Sequence, residues 1–341
     1  MDSNFRFIEL HRASQQAGVP LYYFSARDVS FKKRTIRGTY YNEQYMKWER
    51  KTFPFPDILY DRCGSMSWEA QEIRKRFSRM GIKPINAQNT FDKWDVYLKL
   101  LENEKINPHL PMTVRFRSRD DLRDLVMLYD QVYVKSVNKS RGRKVMRITR
   151  LPEGGYKYSF YVNDIVSGTA RRFQDLFKVA YAFFRYEDQV IIQEAIPLLK
   201  IDDRPIDFRA EIQRNGQGKL DIVGICARIG QPHSPITIHS EAYPFEQFLQ
   251  EHLDYGKKHT ERLREEVEDF LVTVYHCMEK HYGPFGEIGI DFAIDEQDNI
   301  WFIECNAKSA KVSLYKAYDK ETVQRAFTNP LEYAKYLFQH G

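Results

Sequence analysis

Two carboxylates and an amide near the C-terminal end are the residues best spaced to do chemistry. Gly286-Glu-Ile-Gly-Ile-Asp-Phe-Ala-Ile-Asp295 and Ile300-Trp-Phe-Ile-Glu-Cys-Asn306 each alternate apolar and polar residues, the period of a half-buried strand. The Glu296-Gln-Asp-Asn299 run between them reads as a turn. If that run is the whole connection, Asp295 pairs with Ile300, Asp291 faces Glu304, and Asn306 lies two residues further on. Directly opposed residues have Cβ atoms about 5 Å apart, so two like charges share one face and call for a shared proton or a cation. An oxygen-only set of Asp291, Glu304 and Asn306 suits Mg²⁺, which takes few carboxylates and completes its shell with phosphate oxygens. A hairpin with acids on its wet face fits the same pattern.

A second candidate lies upstream. Lys135 comes near the end of the strand Gln131-Val-Tyr-Val-Lys-Ser136, and the loop Asn138-Lys-Ser-Arg-Gly-Arg143 follows before Lys144-Val-Met-Arg-Ile148 returns. A loop with Ser140, Gly142 and the basic Lys139, Arg141 and Arg143 can present N–H groups and cations to phosphates. An ordinary surface hairpin accounts for it equally. Together the two hairpins make a division of labour, one covering nucleotide phosphates and the other supplying metal ligands beneath.

The elements that must hold these residues fall into successive units. Residues 1–85 read as an α/β unit with strands near Pro20–Phe24 and Asp57–Tyr60, a helix over Trp68–Met80, and a turn and strand from Gly81. The basic run Phe31–Gly38 reads as a solvated hairpin edge. Residues 119–200 read as a small α+β module, with helices over Arg119–Tyr129 and Ala170–Phe183 and a strand over Gln189–Ile196. Further on, Leu263, Val267, Phe270, Leu271, Val274 and Met278 recur at helical spacing and read as core packing.

Bulk properties restrict the function. The chain of 341 residues is 43% hydrophobic and 29% charged, long enough for two or three subdomains. A net charge of +5 is mild and spread out, which favours an anionic ligand over a nucleic-acid footprint. No apolar run reaches membrane-spanning length, and Met1-Asp-Ser-Asn-Phe-Arg-Phe7 lacks a signal-peptide pattern. Cys63, Cys226, Cys277 and Cys305 are widely separated, so neither a disulfide frame nor a zinc site is indicated. A cytoplasmic protein is the simplest reading.

The ordered series Lys93, Pro111-Met-Thr113, Lys135 with its basic loop, Gln193-Glu-Ala-Ile196, Asp207-Phe-Arg209, Gly289-Ile-Asp291 and Glu304-Cys-Asn306 resembles the ATP-grasp superfamily. The stretches Gly18-Val-Pro-Leu-Tyr-Tyr-Phe-Ser25, Pro56-Asp-Ile-Leu-Tyr-Asp-Arg62 and Gly81-Ile82 make it similar to the spore-coat-associated YheC/YheD family. The resemblance implies an α+β ATP-grasp fold. It divides the chain into an N-terminal α/β (pre-ATP-grasp) domain over 1–85, a connecting segment over 86–118, an ATP-lid subdomain over 119–200 and a C-terminal lobe over 201–341.

It also implies ATP and Mg²⁺ as cofactors. Lys93 and Lys135 match the two phosphate-contacting lysines, and Ser140, Arg141, Gly142 and Arg143 match the flap over the phosphates. Gln193, Glu194, Ala195 and Ile196 lie where the hinge reads adenine through backbone groups. Arg209 matches the arginine facing the transferring phosphoryl group, with Arg228 beside it; a sheet-face salt bridge is the alternative for each. The implied activity is an ATP-dependent carboxylate–amine ligase acting through an acylphosphate. A non-catalytic nucleotide-binding coat scaffold and a small-molecule kinase are the rivals.

Two stretches depart from the pattern. Where relatives carry an Asn-x-x-x-Gly-Gly-like run after the second arginine, this chain has Ile236-Thr-Ile-His-Ser-Glu-Ala-Tyr243; where they carry Pro-Gly after the metal asparagine, it has Ala307-Lys-Ser-Ala-Lys311. A different acceptor or a site without turnover would each account for this. His239 and Glu241 either replace lost contacts or are ordinary loop residues. Lys308 and Lys311 either meet an anionic substrate or belong to a solvated charge run.

Overall fold

Side-chain caps fix where the helices around the cleft begin. Asp92 accepts hydrogen bonds from the backbone of Trp94 and Asp95, both at 2.9 Å, and Ser118 forms a capping box with Asp121, each satisfying N–H groups a helix start leaves orphaned. The computed structural model describes residues 5–65, 67–137, 144–162, 164–231 and 241–340.

The N-terminal segment contains α1 (Phe5–Ala17) and an antiparallel sheet of β1 (Val29–Ser30), β2 (Thr35–Asn42) and β3 (Lys47–Pro54). Next come β4 (Ile58–Leu59), α2 (Trp68–Arg79) and β5 (Lys83–Pro84), with β4 and β5 paired in parallel. The strand expected at Pro20–Phe24 reduces to a single bridge between Tyr23 and Thr39; Pro20 has no N–H for a ladder. Helix α1 is an addition to the elements read from the sequence. It packs on the far end of the chain, where Phe5, Leu10 and Ala13 share a cluster with Val323, Phe327 and Leu331.

After α3 (Lys93–Leu101) comes a middle unit over the span expected as the lid, with β6 joining its sheet from before residue 119: β6 (Thr113–Arg115), α4 (Arg119–Tyr129), β7 (Gln131–Ser136), β8 (Val145–Arg150), β9 (Tyr156–Tyr161), β10 (Ile165–Ala170), α5 (Phe173–Phe184) and β11 (Val190–Glu194). Its sheet order is β10-β9-β8-β7-β11-β6. Alternation is clean in β7, where Val132 and Val134 are buried against Leu122 and Val126 of α4 and Tyr133 and Lys135 turn the other way.

The C-terminal lobe holds β12 (Lys200–Ile201), β13 (Arg204–Arg214), β14 (Leu220–Ile229), β15 (Glu241–Pro244), α6 (Phe245–His252), α7 (Lys257–Tyr282), β16 (Glu287–Ile294), β17 (Ile300–Asn306), α8 (Val312–Ala317) and α9 (Lys320–His340). Its main sheet runs β15-β14-β13-β16-β17. One face carries Phe208, Ala210, Ile290 and Phe292, which pack with Leu263, Val267, Phe270, Leu271, Val274 and Met278 of α7, as the helical spacing predicts. Phe208 and Phe292 stack with centroids 5.2 Å apart. That apolar face commits the alternate residues Asp207, Arg209, Glu211, Glu287, Gly289 and Asp291 to the opposite side. No helix among the described residues is long and apolar enough to cross a membrane.

The register of β16 and β17 arrives at the expected juxtaposition by another route. Ile294, not Asp295, pairs with Ile300, and a bulge beside Asp291 then restores the pairing of Asp291 with Glu304. Asp295 is drawn out of the ladder because its carboxylate accepts from Gln297 N, Asn299 N and Trp301 Nε1, each at 2.9 Å. The single extra residue on the bulged strand re-aims the side chains beyond it.

Candidate active site

The polar face of the C-terminal sheet carries a chain of ion pairs. Arg228 grips Asp207 through two bonds of 2.5 and 2.8 Å. Arg209 grips Asp291 likewise, Nε to Oδ1 and Nη2 to Oδ2, the latter at 2.7 Å. Arg228 also reaches Asp291 at 3.4 Å. Burial opposes the charge on Asp291, yet the two guanidiniums overcome it and hold the carboxyl below its ordinary pKa. Gly289 makes room for this: a Cβ there would sit 3.1 Å from Arg209 Nη1.

Across the rung, Glu304 lies 3.6 Å from the Lys93 ammonium, and Asn306 Nδ2 donates to Glu304 Oε1 at 3.3 Å. Lys93 is the first residue of α3, so the Asp92 cap sets its position. The repulsion expected between Asp291 and Glu304 is therefore met by arginine and lysine. A metal here rests on donor chemistry and not on unbalanced charge. The donors do fit Mg²⁺, being oxygen-only, with Glu304 partly open to the cleft and a carboxylate retaining further lone pairs beyond those an arginine uses.

The lid supplies the opposite wall. Lys135 donates to Gln193 Oε1 at 2.7 Å, Gln193 Nε2 donates to Thr113 Oγ1 at 2.9 Å, and that hydroxyl donates to Pro111 O at 2.8 Å. Burial pushes the Lys135 ammonium down to about 8; Glu304 opposes the shift and Lys93 adds to it. In the segment expected as the hinge, the N–H groups of Glu194 and Ala195 are donated to Met112 O and Gln131 O, which leaves the other backbone groups of Glu194–Ile196 for a base edge. Glu194 and Ile196 line the cleft. Ser140, Arg141, Gly142 and Arg143 lie outside the described residues, as does His239.

Between these walls and the N-terminal segment is a cleft of about 2130 Å³ lined by Lys93, Lys135, Arg209, Arg228, Asp291 and Glu304 among others. The structure adds a cluster that the sequence did not reveal. Glu287, fully buried, pairs with both Arg62 and Lys311, and these two cations hold its pKa down against burial. Arg62 Nη2 donates to Ser309 O at 2.5 Å, and Ser309 Oγ bonds Glu211. Burial raises the pKa of Glu211, whose Oε2 has no hydrogen-bond partner among the described residues. Asn86 ties the neighbourhood together, donating to Glu287 O and Ala307 O at 2.9 and 2.7 Å and accepting from Gly286 N and Glu287 N at 2.9 and 3.1 Å.

Both readings of Lys311 are corrected. At 2% exposure and bound to Glu287 it belongs neither to a solvated run nor to a free substrate contact. Its neighbour Lys308 donates to Cys63 O at 2.8 Å. Glu241 is a surface partner of Arg204 at 2.8 Å.

Comparison with known proteins agrees with this fold. The model of the YheC/D-like ATP-grasp family matches residues 81–337. The chain is 28% identical to the endospore coat-associated protein YheD of Bacillus subtilis (strain 168), over 98% of this chain and 74% of the relative. Among solved structures, D-cycloserine synthetase DcsG superposes with a TM-score of 0.57 at 11% identity, covering 98% of this chain and 94% of the other. The ATP-grasp ligase PsnB complexed with minimal precursor gives 0.53 at 12%, covering 96% of each chain. These structural likenesses establish an α+β ATP-grasp fold, and the family-model match over residues 81–337 shows that the chain belongs to the YheC/D-like ATP-grasp family.

Proposed function

We propose that the chain is an ATP- and Mg²⁺-dependent carboxylate–amine ligase acting through an acylphosphate. The observation carrying this reading is the convergence of Lys93, Lys135, Arg209 and Arg228 on one cleft, with Glu304 and Asn306 beside them. Bound MgATP would supply the phosphoryl donor and neutralise phosphate charge. The chain's own residues position and balance charge, which phosphoryl transfer needs more than covalent help. Lys93 and Lys135 hold phosphate oxygens, the Ser140–Arg143 loop covers them, and the Gln193–Ile196 segment takes the base. Asp291, Glu304 and Asn306 hold the metal. Arg209 and Arg228 face the transferring group.

A substrate carboxylate takes the γ-phosphoryl group and ADP departs. An amine then attacks the acyl carbon, losing a proton, and phosphate leaves as the amide forms. The coat association of YheD and the minimal precursor complexed with PsnB favour a peptide or amino acid as substrate. Incubation with ATP, Mg²⁺ and pools of amino acids and peptides should release ADP and phosphate together with an amide. A stable phosphorylated product without amide would mean a kinase.

One observation favours a nucleotide-binding coat protein without catalysis. Arg209 and Arg228 are already gripped by Asp291 and Asp207. Tight ATP binding with no turnover across a broad panel would select that reading.

A further inference from the structure

The C-terminal end of β17 is paired on one side only. β17 is the last strand of its sheet, and its final rung sets Asn306 opposite Gly289 of β16. Beyond that rung the two strands part. β16 continues back to Glu287, which pairs with Gln213 of β13 on its other side, while the chain after Asn306 leaves the ladder at Ala307. Continued in the same register, residue 308 would face Glu287, and its absence leaves the Glu287 N–H and C=O in need of another partner. The last pair of an edge strand also frays readily.

Asn86 fills the missing rung from outside the lobe. Its carboxamide accepts from Glu287 N at 3.1 Å and donates to Glu287 O at 2.9 Å, the exchange a neighbouring strand would make. The same oxygen accepts from Gly286 N at 2.9 Å, and the same nitrogen donates to Ala307 O at 2.7 Å. A primary amide has two donor hydrogens and two acceptor lone pairs, so its whole capacity is used. Three bonds go to the start of β16 and one to the residue that follows Asn306.

Close packing sets the aim of that side chain. Ile85 N donates to Leu59 O, Gly286 N to Ile85 O and Ala87 N to Pro284 O, each at 2.9 Å. Residues 85–87 are thereby fastened both to β4 and to the approach to β16. Two glycines allow this approach. A Cβ on Gly286 would run into Ile85 and Tyr333, and one on Gly283 would lie 2.9 Å from Ala87 Cβ. Arg62 and Lys311 secure the loop further along, at Ser309 O and Glu287; Asn86 acts one residue from Asn306.

We propose, resting on the metal assignment in the ligase reading above, that Asn86 is a positioning residue for Mg²⁺ binding. By closing the β16–β17 hairpin beyond its last rung, it holds Asn306 beside Glu304 as a ready pair of oxygen ligands. The metal site is then completed by the segment that precedes the middle unit, and the C-terminal lobe alone does not suffice. Groups that orient metal ligands without touching the metal are commonly worth about 10–100-fold in affinity.

The test compares full-length wild type with Asn86→Ser and Asn86→Asp. Calorimetry of a non-hydrolysable ATP analogue is run with Mg²⁺ and with EDTA, alongside melting temperatures. Asn86→Ser shortens the side chain out of reach of Ala307 O. Asn86→Asp keeps the size and the two accepted bonds and removes the two donated ones. Either variant decides the question if the other fails to fold. The Mg²⁺-dependent gain in affinity should fall about ten-fold in each, with affinity in EDTA within about two-fold of wild type. Ile36→Val, in the core of the N-terminal sheet, should lower the melting temperature with the gain intact, as lost stability by itself would. A gain equal to wild type in a folded Asn86 variant, whatever its melting temperature, overturns this inference and leaves the metal and ligase reading standing. Equal loss of affinity with and without Mg²⁺ also overturns it, because Asn86 would then shape the cleft as a whole. No Mg²⁺-dependent gain in wild type overturns the metal assignment and this inference together.

Discussion

The two walls of the cleft handle buried cations in opposite ways. On the lid, Lys135 is desolvated and donates to a neutral amide, Gln193, so its proton is held loosely. On the C-terminal sheet, Arg209 and Arg228 are similarly desolvated, but each is gripped by a carboxylate and their pKa values rise despite burial. Burial alone disfavours the charged form, while a close opposite charge restores it. One wall is therefore short of negative charge until a ligand brings it; the other is balanced beforehand. A lysine, whose pKa yields to burial, suits the first task, and a guanidinium that stays protonated and binds two oxygens at once suits the second.

Breaking the balanced wall should have the largest effect. Arg209→Ala should lower kcat by about 100-fold or more, with ATP affinity changed far less, if the arginine meets charge developing on the transferring group. The same variant leaves Asp291 only its longer contact with Arg228 and should cost stability in denaturant titration, by less than the ~3–5 kcal/mol of a buried charge left with no partner. Loss of stability with unchanged kcat would reduce Arg209 to a structural partner. Glu287→Gln should destabilise by several kcal/mol, because it leaves Arg62 and Lys311 buried without a counter-charge. A melting temperature within a degree of wild type would refute that.

Smaller effects sharpen the contrast. Glu304→Ala should erase most of the Mg²⁺-dependent gain in ATP affinity seen by calorimetry; an equal gain in the variant removes Glu304 from the metal set. At the loose wall, ATP binding near pH 8 should take up a proton as phosphates restore the Lys135 charge. Affinity should then fall as pH rises through about 8, by no more than about ten-fold per pH unit. Stability runs the other way: from about pH 8 to the unfolded lysine value, the unfolded chain binds more protons, so this group's contribution rises with pH. Calorimetry in buffers of different ionisation enthalpy reads the uptake, and Lys135→Met should abolish it.

Regular segments with strong alternation were legible in the sequence. Gln131–Ser136 and Arg119–Tyr129 have the same bounds in the structure, because the period and the Ser118 cap are local properties. The pairing of Asp291 with Glu304 was legible only as an outcome: turn hydrogen bonding moved the register by one and a bulge moved it back. The Arg62–Glu287–Lys311 cluster was not legible, since it joins three segments far apart in sequence. Lys311 read as either a contact for an anionic substrate or part of a solvated charge run. Its burial depends on where Arg62 and Asn86 bring the N-terminal segment.

The packing of α1 against α9 bears on how the chain is made. Phe5, Leu10 and Ala13 find their apolar partners among Val323, Phe327 and Leu331, more than three hundred residues later. During synthesis, α1 leaves the ribosome long before α9 and waits for it before its inner face is covered. Contacts of such long sequence separation form slowly and leave apolar surface exposed meanwhile. Nascent chains stalled short of residue 323 will therefore present an open α1, a natural handle for chaperones that survey unfinished protein.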